Sequence, residues 1–313
     1  MTSQMFRSVR IVPFSSGQAL RQVDYSPFWV SGSATRRDYP RQLSSARANP
    51  MLAALPHRLY LWERRTLYLG PLRSPAQLSL AASRLLIGLH GSIRFRHHGH
   101  QHDSYARSLL LPVGWQGTVD SGRQWVADCH LDATGFDYAV LRQLATHQTQ
   151  AAYCDLSNEP LLISAFDEVS QHLAPPDVLY PQLDAWLNPP EWVKRTAFRC
   201  DPRILTTLQR IKASTQENLS VASLAQQVGL STSRLANLFK EQIGIPIRRY
   251  RLWYRLFLST QRIACGASVT EAALEAGFAD AAHFTRTYRS ILGIQPSALT
   301  RPRAGLHVFV EGR

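Results

Sequence analysis

Apolar residues change their spacing twice along the chain, and each change marks a new kind of element. From about Leu55 to Leu141 they come in short runs: Arg58–Trp62, Arg65–Leu69, Arg84–Leu89, Ser92–Arg96, Ser108–Leu111 and Gln124–Ala127. Turn pairs stand between them, among them Gly70-Pro71, His90-Gly91, His98-Gly99 and Ser121-Gly122. Many short strands at near-regular spacing predict an antiparallel barrel or sandwich, and a barrel can hold a small molecule in its mouth. From 156 to 198 the period lengthens to that of a helix. Leu162, Phe166, Val169 and Leu173 form one stripe, and Leu179, Leu183, Trp186 and Leu187 a second, each closed by a Pro-Pro pair. Two such helices either pack between domains or pair two subunits. Residues 1–55 are polar and broken by Pro13, Pro27, Pro40 and Pro50, which reads as strands or loops leading into a domain.

The last hundred residues are strongly helical. Asp201-Pro202 reads as an N-cap followed by proline at the first helical position, with Ile204, Leu205, Leu208 and Ile211 as the buried face. An internal echo then appears at a spacing of about 48 residues. Ser220-Val-Ala-Ser-Leu-Ala225-Gln-Gln-Val-Gly229-Leu230 is matched by Ser268-Val-Thr-Glu-Ala-Ala273-Leu-Glu-Ala-Gly277-Phe278. Each copy carries the signature of a helix-turn-helix: a small Ala for close helix crossing, a Gly for the turn, and an apolar residue after it. A second helix follows each turn, with Leu235, Leu238 and Phe239 inward in one copy and Phe284 and Tyr288 in the other. Gly244-Ile-Pro246 and Gly293-Ile-Gln-Pro296 stop those helices, and a long helix over Arg248–Cys265 joins the two copies.

Charge sharpens this picture. The 313 residues carry a net +13, and over 199–300 there are 13 Lys/Arg against 6 Asp/Glu, a net +7. Residues 1–198 carry only +4, so the excess is denser in the last third and points to an anionic partner there. The length suggests two domains. A composition of 45% hydrophobic and 18% charged residues is that of a globular chain with a real core. No run approaches the roughly 18 to 20 apolar residues of a membrane helix, and the start has no apolar run long enough for a secretory signal. Four scattered cysteines (Cys129, Cys154, Cys200 and Cys265) with no CxxC favour reduced thiols and a cytoplasmic location.

Over roughly 201–300 the chain resembles the AraC/XylS family of bacterial transcription regulators. The likeness rests on Leu224-Ala225, Gly229-Leu-Ser231, Arg234-Leu235, Leu238-Phe-Lys240, Gly244, Arg255-Leu256, Gly277-Phe278, His283-Phe284, Arg286, Tyr288-Arg289, Gly293 and Pro296-Ser297. It departs at Thr300, where the family usually has a closing Arg; Arg301 comes next. More loosely, Leu67-Tyr-Leu-Gly70, Leu86-Ile-Gly-Leu-His-Gly91 and Leu109-Leu-Leu-Pro-Val-Gly114 are similar to the cupin-like sensor barrel of many such regulators. The resemblance implies an α+β chain: a cupin-like, effector-sensing antiparallel barrel at 1–155, a helical linker or dimerisation segment at 156–198, an all-α DNA-binding domain with two helix-turn-helix motifs at 199–300, and a tail at 301–313. It implies a sequence-specific activator, not an enzyme and without a cofactor. Its partners would be double-stranded promoter DNA, RNA polymerase, a small effector and a second copy of the chain.

Thr232, Ser233, Arg234, Asn237 and Lys240 are the candidate DNA contacts of the first reading helix, facing outward if Leu235, Leu238 and Phe239 face in. Asn can pair with adenine through two hydrogen bonds, Ser or Thr can bond a base or a phosphate, and Arg234 and Lys240 suit phosphate. His283, Thr285, Arg286 and Arg289 are the candidates of the second. Ala236 stands where family members often carry a larger polar reader, which implies fewer direct hydrogen bonds from the first helix. Ala281 and Ala282 stand where polar readers are common, so the second helix is expected to supply affinity more than specificity.

Other features point elsewhere. His90, His97, His98, His100 and His102 crowd into thirteen residues, and imidazoles bind transition metals. His98-Gly99 nevertheless reads as a solvated hairpin tip, and no Glu completes a cupin metal set. Trp62, Trp115 and Trp125 could line a pocket or belong to the core, and Arg84, Arg94 and Arg96 could meet an acidic effector or face water. Cys129 and Cys154 have no activating base beside them. The rival readings are a metal-dependent cupin enzyme carrying a DNA-binding domain, a DNA-alkyl-transfer regulator with reactive cysteines, and a constitutive DNA-binding protein that answers no effector.

Overall fold

The computed structural model describes residues 56–72, 76–215, 217, 219–292, 296–300 and 306–311. The proline-punctuated stretch 1–55 lies outside the described residues. The strands are β1 (His57–Leu61), β2 (Thr66–Pro71), β3 (Ala76–Ser79), β4 (Arg84–Gly88), β5 (Ile93–His97), β6 (Ser104–Ala106), β7 (Ser108–Leu111), β8 (Gln116–Asp120), β9 (Trp125–His130), β10 (Ala145–Thr149), β11 (Ala152–Leu156) and β12 (Leu306–Val310). Helix α1 (Phe136–Arg142) follows β9, and α2 (Glu159–Gln171), α3 (Pro176–Leu187) and α4 (Pro190–Arg195) follow β11.

Closure into a barrel is not found among the described residues. The strands form two sheets, one of eight strands in the order β10-β11-β7-β4-β9-β2-β1-β12 and one of four in the order β3-β8-β5-β6. The alternation of side chains explains why. Leu86, Leu109, Leu111 and Val126 of the large sheet meet Leu78, Ile93, Phe95 and Val119 of the small one in a core between the two. Their neighbours Leu85, Ile87, Leu110 and Ala127 point the other way, onto a second core. A strand apolar on both faces needs a layer on each side. The second layer is α2 and α3: Leu162, Phe166, Val169, Leu179, Leu183 and Leu187 are all buried there. The two apolar stripes therefore pack on the sheet. Leu173, expected in the first stripe, lies beyond the end of α2 and is 42% exposed.

A buried ion-pair network pins this layer. Arg65 donates to both Asp137 carboxylate oxygens at 2.7 Å and to Asp184 at 2.6 Å, which ties the β1–β2 loop to α1 and α3. Burial alone would raise the Asp137 pKa, but the Arg65 guanidinium holds it below the usual carboxylate range. Trp62, Trp115 and Trp125 are core residues here; the first two donate their indole N–H to Pro176 and Gln150 carbonyls.

The C-terminal part is helical: α5 (Pro202–Ala213), α6 (Val221–Gln227), α7 (Thr232–Ile243), α8 (Ile247–Ala264), α9 (Val269–Glu275), α10 (Ala281–Leu292) and α11 (Ser297–Thr300). Asp201 caps α5 as expected, its carboxylate accepting from the Arg203 amide at 2.9 Å. Ile204, Leu208 and Ile211 are buried, whereas Leu205 is 39% exposed, outside the apolar stripe. Tyr250, Trp253, Tyr254 and Phe257 on α8 carry an aromatic ladder through the middle of this part. Its core does not stop at the sheet, because Leu61, Ala81, Ala82 and Val308 belong to the same cluster as Phe239, Tyr250 and Tyr288. No helix among the described residues is long and apolar enough to cross a membrane.

Candidate nucleic-acid interface

The two echoing stretches fold alike, residue for residue. α6 starts at Ser220, whose hydroxyl accepts from the Ser223 amide at 3.0 Å, and α9 at Ser268, whose hydroxyl accepts from the Glu271 amide at 3.1 Å. Gly229 then takes φ 66° and Gly277 φ 78°, left-handed values that any other L-residue adopts only with strain. In each turn the amide after the glycine reaches back five residues: Leu230 donates to the Ala225 carbonyl at 2.9 Å, and Phe278 to Ala273 at 3.0 Å. Ala225 and Ala273 are buried where the helices cross.

The second helix of each pair begins at a polar cap. The Ser231 hydroxyl accepts from the Arg234 amide at 3.3 Å, and the Asp280 carboxylate accepts from the His283 amide at 2.6 Å. That bond, with Arg286 nearby, holds the Asp280 carboxyl below its ordinary range. Leu235, Leu238 and Phe239 turn α7 inward, and Phe284 and Tyr288 do the same for α10, with the Tyr288 hydroxyl 2.9 Å from Thr260. Truncating a buried Phe of this kind to Ala costs about 3–5 kcal/mol.

What remains outside is polar and basic. Thr232, Ser233, Arg234, Asn237 and Lys240 on α7, and His283, Arg286 and Arg289 on α10, are all exposed. Thr285 is half-buried and its hydroxyl donates to the Ala281 carbonyl at 2.8 Å, so it is committed to its own helix. Arg234, Lys240, Arg286 and Arg289 have no salt-bridge partner among the described residues, unlike Arg262, which donates to Glu275 at 2.7 Å. Exposed cations on two helix faces, none held in a salt bridge among the described residues, suit a polyanion.

The other sequence candidates fall in different places. His98, His100 and His102 lie exposed between β5 and β6, and no group of three His, Cys, Asp or Glu among the described residues is placed to hold a metal. Arg84 is buried against Asp128, Arg94 donates to Asp120 at 2.6 Å, and Arg96 sits 3.5 Å from Asp103. Burial pushes the Cys154 thiol up to about 12 and the Cys129 thiol higher still, so both stay protonated and unreactive.

Sequence reasoning missed the contacts behind α7 and α10. Gly244 ends α7 at φ 83° with Val113 of the β7–β8 turn packed against it, and β3 lies along α10. Arg249 of α8 donates to the Ser79 carbonyl at 2.9 Å and to its hydroxyl at 2.7 Å. Nothing local in the sequence marks these contacts.

Residues 224–302 match the family model of a helix-turn-helix domain. The chain is 36% identical over 85 residues to the arabinose operon regulatory protein of Escherichia coli. This stretch is 26% of the chain and 28% of that protein's length. The C-terminal region is an AraC-type helix-turn-helix domain. A second relative is the HTH-type transcriptional regulator ArgR of Pseudomonas aeruginosa, 27% identical over 109 residues, 34% of this chain and 33% of that one. Beyond the AraC-type domain the likeness is one of fold. ToxT of Vibrio cholerae superposes with a TM-score of 0.51 at 12% identity, over 76% of this chain and 96% of that one. A ToxT structure bound to (E)-4-(8-methylnaphthalen-1-yl)but-3-enoic acid matches equally, with a TM-score of 0.51. The sheets ahead of the AraC-type domain thus share the mixed α+β arrangement of ToxT.

Proposed function

We propose that the chain is a sequence-specific DNA-binding transcription regulator in which α7 and α10 enter successive major grooves, about one helical turn apart, on one face of the duplex. The observation that carries this reading is the pair of matched helix pairs, each presenting an exposed polar and basic face whose Arg234, Lys240, Arg286 and Arg289 form no salt bridge among the described residues. Asn237 reads bases, Arg234 and Lys240 hold phosphates, and Arg286 with Arg289 anchors the second helix. The sheets and their covering helices sense a small effector, a role supported by the ligand carried by a ToxT structure. Effector binding shifts the population of arrangements between sheet and helices, and the regulator, cytoplasmic and homodimeric, then helps RNA polymerase start at a promoter.

The test is binding of the full chain to its own upstream intergenic DNA, titrated across salt beside scrambled DNA and an Asn237→Ala, Arg286→Ala variant. The expected result is a preference for the upstream DNA that the double variant loses. Equal affinity of the wild type for both DNAs at every salt concentration, with the variant unchanged, would overturn the reading.

A further inference from the structure

The tail after the helical domain is a strand, and it returns to the beginning of the described fold. β12 lies parallel to β1 in the register His57 to Leu306 through Leu61 to Val310, the one parallel pairing among the described ladders. Its two faces are spent differently. Leu306, Val308 and Val310 pack on the core of the helical part, where β12 lies against α8. Phe309 turns the other way and stacks on Tyr60 at 4.6 Å, and Tyr60 stacks in turn on Trp62 at 5.3 Å. Polar contacts close the end: the Glu311 amide donates to the Leu61 carbonyl at 3.1 Å, and the Glu63 amide donates to the Glu311 carboxylate at 3.0 Å. Lys212 of α5 pairs with the same Glu63 at 2.9 Å, so the β1–β2 loop is tied to the first helix of the DNA-binding part as well.

The helical part is thereby attached to the sheet at both of its ends, through residues 196–201 before it and β12 after it. Between those attachments, Val113 presses on the end of α7, Arg249 grips Ser79 and β3 backs α10. The positions of Ser79 and β3 are set by the β3–β8 ladder, and Val113 sits in the turn between β7 and β8. The spacing they impose on α7 and α10 is therefore the spacing of the sheet, whereas DNA demands the spacing of two successive grooves. β12 is also the contact best suited to open. It is a short edge strand with one strand neighbour, and only Val308 within it is buried. Short, half-exposed edges have the lowest opening free energies in a fold.

We propose that residues 306–311 are a regulatory strap: seated beside β1 it holds the DNA-binding helices to the sheet, and leaving β1 it frees them to take the spacing of the duplex. This rests on the DNA-binding reading above. The seated form is the restrained, weaker-binding one, and by linkage DNA that favours the released form must itself loosen the strap.

Two altered chains test it. One ends at Gly305. The other carries Leu59→Cys and Val308→Cys, which face each other across the parallel pair, in a Cys200→Ser, Cys265→Ser background. Affinity for upstream and scrambled DNA is measured for each, the cysteine pair both oxidised and reduced, with hydrogen exchange of residues 57–61 followed in the wild type with and without DNA. Truncation is expected to tighten binding about tenfold, the oxidised lock to bind about tenfold more weakly than the same chain reduced, and DNA to speed exchange at 57–61. Equal affinities within about twofold, or a lock that binds more tightly, would overturn the strap. If the truncated chain fails to fold, the oxidised and reduced lock still decide, since they are one sequence. A wild type with no preference for upstream DNA is a failure of the functional reading instead, and the lock is then judged on scrambled DNA at low salt.

Discussion

In the first helix pair α6 closes onto Gly229, and in the second α9 closes onto Gly277, with the same back-reaching amide and the same buried Ala at the crossing. Outside the turn they diverge. α7 carries Thr232, Ser233 and Asn237 among its outward residues, with its far end held against Val113. α10 opens with Ala281 and Ala282, keeps Thr285 for its own backbone, and lies along β3. The turn is fixed by backbone geometry, so both copies must satisfy it. The outer face is free of that demand and is set by what it touches. The shared features therefore report the fold, and the differences bear on the division of labour proposed for DNA.

The largest effect that would break the comparison lies at the glycines. A Cβ on Gly244 would sit 2.1 Å from the Val113 Cγ1, on a residue already at φ 83°. Gly244→Ala is expected to lose about 2–4 kcal/mol of stability, part backbone strain and part overpacking against a stiff β-branched side chain. At Gly229 the same Cβ meets nothing within 4 Å, and at Gly277 the Arg255 guanidinium is 3.4 Å away. Those two substitutions should cost about 1–2 kcal/mol each, from strain alone. Urea melts of the three variants check the order. Adding Val113→Ala to Gly244→Ala should recover the packing share and leave the strain; no recovery would mean that Val113 does not bear on the end of α7.

A smaller effect sharpens the division of labour. Asn237→Ala should narrow the gap between upstream and scrambled DNA by about 1–3 kcal/mol and leave the salt slope unchanged, because an amide reads bases and displaces no counterion. Arg286→Ala should weaken binding to both DNAs and flatten the slope by about one. Salt titrations of the two single variants separate these outcomes. The same signature from both variants would erase the distinction between the helices.

The helical half was legible because its signals are local. Asp201-Pro202, the Ala225–Gly229 and Ala273–Gly277 spacings and the inward Leu235, Phe239, Phe284 and Tyr288 all lie within a turn or two of what they determine. Eight of the nine proposed contacts stand exposed on the two faces, with Thr285 the exception. In the sheet half, the runs around β1, β2, β4, β5, β7 and β9 were visible as strands, but their partners were not. Period-two alternation says which face a residue takes and is silent on whether an edge closes, so a barrel and two sheets look alike. Leu306-His-Val-Phe-Val310 alternates visibly, yet its partner β1 lies at the other end of the described chain. Leu205 and Leu173 fail for a simpler reason: one lies off the apolar stripe of α5 and the other beyond the end of α2.

The smallest difference between the copies lies at the caps of their first helices, and pH exposes it. Ser220→Ala and Ser268→Ala should each cost about 1 kcal/mol through the lost cap. Only Ser268 belongs to a reciprocal box, in which its own amide donates to the Glu271 carboxylate at 2.8 Å. That hydrogen bond, from the Ser268 backbone first and its side chain second, holds the Glu271 carboxyl below its ordinary value of 4.5. A carboxyl whose folded pKa is depressed stabilises the fold above its unfolded pKa, and the contribution fades as pH falls through the folded value. The melting difference between wild type and Glu271→Gln should therefore be present at neutral pH and shrink as the pH is lowered from about 4.5 toward 3. At the first pair Ser223 occupies the matching position, so Ser223→Ala should show no such acid dependence. A Glu271→Gln difference that stayed constant across that range would mean that the carboxylate's charge contributes nothing to the cap, leaving the two first helices capped alike.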